Sequence, residues 1–155
     1  MKKRVKIYID TSVIGGCCDD EFKDCSIQLI KELKIGLHVP VISELTLAEV
    51  NKAPQEVQNI LTDLMAYDCA IIPETEESVE LAYKYIEAGI LSKNFEEDAR
   101  HIAIATINNV DIVTSWNFKH IVHFEKIRQF NSINIREGYK PIEIYSPREV
   151  INYEV

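Results

Sequence analysis

The sequence predicts an α/β protein built on a central, mostly parallel sheet with helices on both faces, in three layers, and three observations carry that prediction. Five short runs rich in β-branched residues, Val5–Ile9, Leu37–Ile42, Cys69–Ile72, Val110–Thr114 and Ile142–Tyr145, alternate with stretches whose apolar residues recur at helical spacing. Several of the runs are apolar at consecutive positions, as in strands buried on both faces. The chain has 155 residues, 46% hydrophobic and 27% charged, which makes one ordinary domain, residues 1–155, with a sizeable core.

Each element has its own local signal. The first strand stops at Asp10-Thr11-Ser12, and a loop with Gly15-Gly16 is expected after it. Ile27, Leu29, Ile30 and Leu33 mark a helix that Gly36 ends. Pro40 suits the end of the second strand better than its middle. Ser43 caps a helix from Glu44 to about Asn51, and another runs from about Pro54 to Met65. After the third strand, Thr75 caps a helix whose apolar stripe is expected at Val79, Ala82, Tyr83 and Ile86, closed by Gly89. Asn94-Phe95-Glu96-Glu97 reads as a capping box opening a helix through Ile107. A helix from Phe118 to Gln129 follows the fourth strand, and Ile142–Tyr145 before Pro147 is the last strand.

Composition excludes several classes. The 17 basic and 25 acidic residues give a formal charge of −8, which argues against a protein that holds nucleic acid mainly by neutralising phosphates. A bound divalent cation can offset clustered carboxylates locally, so an enzyme acting on nucleic acid stays open. Four irregularly spaced cysteines form neither a disulfide scaffold nor a C-x-x-C site. No apolar run reaches the ~20 residues of a membrane span, and the basic start Met1-Lys2-Lys3-Arg4 leads into no signal-peptide core. A cytoplasmic protein with no membrane association is expected.

Ligands of doubly wound sheets bind beyond the carboxyl ends of the strands, at a switch in strand order. Asp10 ends the first strand there. Glu49 borders the apolar face of a short helix with Leu45 and Ala48, and Asp98 stands at the N-terminal end of a buried stripe, four residues before Ile102. Converging carboxylates repel unless a cation compensates, and oxygen-only donors suit Mg²⁺ or Mn²⁺. Such an ion generates a hydroxide and polarises a phosphoryl oxygen, which points to phosphodiester hydrolysis.

Four segments, Ile7–Ser12, Ile42–Val50, Glu97–Ala105 and Ile112–His120, resemble in order and spacing the successive motifs of PIN-domain proteins. The resemblance runs roughly from Lys6 to His123. It implies a PIN fold, divalent-metal-dependent ribonuclease activity and the role of a VapC-like toxin in a type II toxin–antitoxin pair. It implies RNA, a cognate antitoxin protein and a second copy of the chain as partners. By motif, Asp10, Glu49 and Asp98 match the metal-coordinating acids and Ser12 the hydroxyl residue, while Asn117 stands where the family has a fourth acid. Arg100 and Lys119, beside these motifs, are candidates for phosphate contacts. His101 and His120 read as surface or packed residues, and Trp116 as a half-buried anchor rather than a base-stacking ring. Two other readings compete: a PIN-like RNA- or protein-binding module without catalysis, and a phosphoacceptor module with Asp10 as acceptor. The latter needs an acidic pair before that Asp and a Lys on a late strand, and neither is evident.

Overall fold

Alternation along the first strand, β1 (Lys6–Ile9), organises the molecule: Ile7 and Ile9 pack into one apolar cluster and Tyr8 into the other, all fully buried. The computed structural model describes residues 4–153, so the basic start at Met1-Lys2-Lys3 lies outside the described residues. β1 is the centre of a five-stranded, all-parallel sheet completed by β2 (Val39–Ser43), β3 (Ala70–Ile72), β4 (Ile112–Thr114) and β5 (Glu143–Tyr145) in the order β3-β2-β1-β4-β5. The chain winds outward from β1 to β3, then crosses back to β4 on the other side. The switch in strand order therefore opens between the carboxyl ends of β1 and β4.

Pro40 sits inside β2, opposite Ile7, and the sheet tolerates it for a positional reason. The pairing of β2 with β3 begins only at Val41 with Ala70, while Val39 N–H donates to Val5 on the β1 side. The missing Pro40 N–H thus falls where β3 offers no partner.

On the Ile7 and Ile9 face lie α1 (Thr11–Gly16), α2 (Lys23–Lys34) and α4 (Gln55–Met65), burying Val13, Leu29, Leu33, Leu61 and Leu64. On the Tyr8 face lie α5 (Glu76–Glu87), α6 (Glu96–Ile107) and α7 (Phe124–Arg136), burying Leu81, Tyr85, Ala99, Ile102 and Phe130. The short α3 (Glu44–Val50) contributes Leu45 to one cluster and Val50 to the other. A last turn, α8 (Pro147–Val150), closes the chain. No helix among the described residues is long and apolar enough to cross a membrane.

Four local expectations are corrected. The expected loop after β1 is the helix α1, because the Asp10 side chain accepts the Val13 N–H and caps it. On α5 Ala82 is buried and Ile86 half-buried as expected, but the rest of the buried stripe is Ser78, Leu81 and Tyr85, and Val79 and Tyr83 face water. Ser78 can be buried because the capping box with Thr75 satisfies its hydroxyl. Asn94 does not cap α6 but lies in a 3₁₀ turn, Lys93–Phe95, that leads into it. The helix expected from Phe118 starts instead at Phe124, since Ile121 and Val122 N–H both donate to the Asn117 carbonyl and close a separate turn. Unforeseen, α8 is capped reciprocally by Ser146 and Glu149.

Gly16 lets α1 approach α2 and the turn after β4: a Cβ there would stand 2.5 Å from Ser26 Oγ and 2.8 Å from Trp116 Nε1. Those two atoms are hydrogen-bonded to each other at 2.7 Å and buried. Gly16→Ala should therefore destabilise the protein by about 1–3 kcal/mol, measured by chemical denaturation. Stability equal to wild type would show that the contact relaxes freely.

Candidate functional site

Asp10 ends β1 at the switch between β1 and β4, and its carboxylate is nearly buried, 4% exposed. Three donors converge on it. Ser12 Oγ donates to Oδ1 at 2.6 Å and Val13 N–H to the same oxygen at 3.2 Å, while Ser115 Oγ, just beyond β4, donates to Oδ2 at 2.6 Å. Burial pushes the Asp10 carboxyl above its ordinary range, against the pull of His101 and of the two serine hydroxyls.

Glu49, on α3, is brought beside Asp10 by the residue after it. Thr11 Oγ1 donates to Glu49 Oε1 at 2.6 Å, and His101 Nε2 lies 2.6 Å from the same oxygen. Burial acts to raise the Glu49 carboxyl, but the His101 bond and charge, with Thr11, hold it well below the carboxylate range. Glu97, close to Glu49, is raised in turn by that carboxylate. His101 is buried on α6, and its Nδ1 lies 2.5 Å from the Tyr8 hydroxyl, which bonds Ser43 Oγ at 2.8 Å. This relay threads the core from β1 to α3.

Asp98 stands in the first turn of α6 and is bonded to His120 Nδ1 at 3.0 Å. The His120 ring packs on Phe95 with centroids 3.9 Å apart. His120 belongs to the turn after β4, where its backbone N–H donates to Asn117 Oδ1 and the Asn117 N–H donates to Ser115 Oγ. Asn117 thus joins Asp10 through Ser115 and Asp98 through His120. Its carboxamide oxygen holds a backbone N–H here.

Of the residues singled out from the sequence, Asp10, Ser12 and Glu49 are drawn together around Thr11, and Asp98 and Asn117 join them through His120 and Ser115. Arg100 does not face the acids as a free cation: its Nε and Nη2 fork onto both oxygens of Glu74 at 2.7 and 2.6 Å. Trp116 is buried, stacked on Phe22 at 4.3 Å, and donates its backbone N–H to Ser12 Oγ, in keeping with an anchor. The sequence reading missed Tyr8, Thr11, His101, Ser115 and His120 as parts of the network. One signal was available: His101 follows Asp98 by three residues, next to the buried Ile102.

The donor chemistry fits a hard divalent cation, with three carboxylates at one edge and a buried, raised Asp10 among them. Among the described residues, no three of the acids, histidines and cysteines are gathered into one coordinating group. Each acid is held by a partner within the protein. Loading an ion therefore means exchanging the imidazole bonds of Glu49 and Asp98 for metal bonds.

No family model and no curated protein matches this sequence. Solved structures do match its fold. A chain of the Rickettsia felis VapBC2 complex, bound to a DNA fragment of its promoter, superposes with a TM-score of 0.59 at 16% identity, covering 92% of this chain and 98% of that one. VapC20 of Mycobacterium tuberculosis, a toxin that cleaves the sarcin–ricin loop, gives 0.55 at 13% identity over 74% and 92%. A chain of FitAB bound to a DNA fragment gives 0.58 at 13% identity over 96% and 99%.

The raised Asp10 carboxyl implies a stability penalty with a definite sign. A carboxyl whose folded pKa lies above its unfolded one contributes no penalty below the unfolded value, and destabilises as pH rises through the folded one. Asp10→Asn should raise the apo protein's Tm by a few degrees at neutral pH, and the gain should vanish toward about pH 4. A thermal melt series across that range measures it. With five parallel strands flanked by helices on both faces, and these matches over most of its length, the chain has the PIN-like fold of VapC toxins and FitB.

Proposed function

We propose that this protein is a divalent-metal-dependent endoribonuclease that hydrolyses RNA phosphodiester bonds and acts as the toxin of a toxin–antitoxin pair. The observation that carries the reading is the arrangement around Asp10: a buried carboxylate at the switch point, with Glu49 one hydrogen bond away through Thr11 and Asp98 linked through His120. Structural likeness to a toxin that cleaves the sarcin–ricin loop supports the substrate class at the level of the fold.

Asp10, Glu49 and Asp98 would hold Mg²⁺ or Mn²⁺. When bound, such an ion lowers the pKa of a water and neutralises charge developing on the phosphate. The chain's own residues prepare that place. Ser12 and Ser115 fix the Asp10 carboxylate in one orientation, Thr11 and His101 fix Glu49, and His120 fixes Asp98. Asn117 sets the position of His120 by holding its backbone. Arg100 steadies the turn before α5 through Glu74. Likeness to chains of the VapBC2 and FitAB complexes supports a protein partner, which we take to be a cognate antitoxin, and we retain a homodimer in the cytoplasm as part of the same reading.

Asp10→Asn, Glu49→Gln and Asp98→Asn should each lower Mn²⁺-dependent RNA cleavage by ~100-fold or more, with circular dichroism unchanged, and EDTA should reproduce the loss. Full activity in Asp98→Asn would overturn the assignment. The rival, a binding module without catalysis, is favoured by the three acids each keeping an internal partner and by the lack, among the described residues, of three ligands gathered into one group. Thermal melts separate the two: millimolar Mn²⁺ should raise Tm for a nuclease and leave it unmoved for a module without metal. Asn117→Asp adds the missing fourth carboxylate and should strengthen Mn²⁺ binding and cleavage. If it changes neither these nor apo stability, residue 117 lies outside the site.

A further inference from the structure

Two phenylalanines stand in water at the carboxyl edge of the sheet although each is tied to the acid site. Phe118, in the turn after β4, is 46% exposed and lies 6.5 Å from the Phe22 ring and 6.1 Å from the Trp116 ring. Trp116 in turn holds Ser12, which holds Asp10. Phe95, just before α6, is 39% exposed and packs on His120, which holds Asp98. Phe118 is backed by the layer of α1 and α2, whose cluster includes Phe22, whereas Phe95 leads into α6 in the opposite layer. An exposed ring therefore stands in each layer, one linked to Asp10 through Trp116 and Ser12 and the other to Asp98 through His120.

Charge differs between the two rings: Phe95 is followed by Glu96, Glu97 and Asp98, whereas the segment that carries Phe118 is basic. Residues 117–128 carry Lys119, Lys126 and Arg128 against Glu125 alone, in a protein of formal charge −8. Lys119 is exposed and makes no ion pair among the described residues, and Arg128 lies over the Phe124 ring at 5.6 Å. Scattered exposed apolar residues are ordinary on a surface. An exposed ring next to an exposed lysine, with a second exposed ring across an acid cluster, matches one kind of ligand: a polyanion with flat, unpaired faces. A nucleic-acid duplex hides those faces, and a peptide lacks the regular alternation of charge and plane.

We propose that Phe95 and Phe118 are base-stacking shelves on the two sides of the acids, with Lys119 receiving a phosphate, so that a single strand of RNA crosses the site with one base on each shelf. This rests on the ribonuclease reading and adds the path of its substrate. The buried, stacked Trp116 is not a shelf.

Fluorescence anisotropy of a short labelled single-stranded RNA, with the full chain carrying Asp10→Asn to block turnover, tests the path. Phe95→Ala and Phe118→Ala should each weaken binding roughly five- to hundredfold, and Phe→Trp at either position should restore it. Lys119→Ala should reduce the slope of log K against log salt by ~0.7. Abasic sites in the RNA should reproduce the loss and make the Phe→Ala changes silent. Tyr83→Ala, which removes an exposed ring from α5, should leave binding unchanged. Unchanged binding in the Phe→Ala variants, equal binding of duplex or abasic RNA, or an equal loss in Tyr83→Ala overturns the proposal. If the Phe→Ala variants bind normally while Asp10→Asn abolishes cleavage in otherwise wild-type protein, the path fails and the ribonuclease stands. If binding falls but Asp10→Asn cleaves like wild type, the ribonuclease reading is the one that fails.

Discussion

A carboxylate at the end of the central strand of a parallel sheet occupies a place where a hydrophobic side chain would pack without penalty, and so it must be surrounded by donors. Asp10 obtains them from three directions: its own helix cap at Val13, Ser12 two residues on, and Ser115 across the switch point just beyond β4. These bonds do more than satisfy an anion. They join the start of α1 to the end of β4, and the turn that follows hangs from the same hydroxyls, since Trp116 N–H donates to Ser12 and Asn117 N–H to Ser115. The position of His120, and with it the partner of Asp98, descends from that one buried group.

The second constraint is the Tyr8 and His101 relay beneath Glu49. Tyr8 belongs to the apolar cluster on one face of the sheet, yet its hydroxyl meets Ser43 and His101, so a polar thread crosses a packed interior. In a low-dielectric core such a thread is favourable only when every member is satisfied, which makes it specific to one arrangement of β1, β2, α3 and α6. Burial raises the Tyr8 hydroxyl well above its usual range, so it stays a neutral donor or acceptor in that arrangement. Glu49 is thereby held from the interior side as well as by Thr11.

Much of this was legible in the chain. The five strands appeared as runs bounded by Asp10, Pro73 and Pro147, because apolar β-branched residues flanked by turn formers have few other uses. Asp10, Glu49 and Asp98 could be singled out because charge at the edge of an apolar stripe is conspicuous. What stayed hidden was long-range or compensated. Ser78 looks like a surface residue until its capping box is seen, and that ambiguity assigned Val79 and Tyr83 to the buried face of α5 when they meet water. Tyr8 and His101 meet across 93 positions of sequence, and Arg100 finds Glu74 across 26, separations at which local pattern carries no information. The turn after β4 was expected to be the start of a helix at Phe118, although Asn117 closes the backbone into a separate turn first.

The two strong donors to Asp10 are hydroxyl groups on single-bonded side chains, with Val13 supplying a fixed backbone N–H. A cradle of amides can only donate. A hydroxyl can swing its hydrogen away and offer a lone pair, with its oxygen staying where it is. The pocket around Asp10 can therefore meet an anion, a protonated acid or a cation-bound carboxylate by turning two hydrogen atoms, and the heavy-atom framework built upon it is spared any rearrangement as the charge at its centre changes.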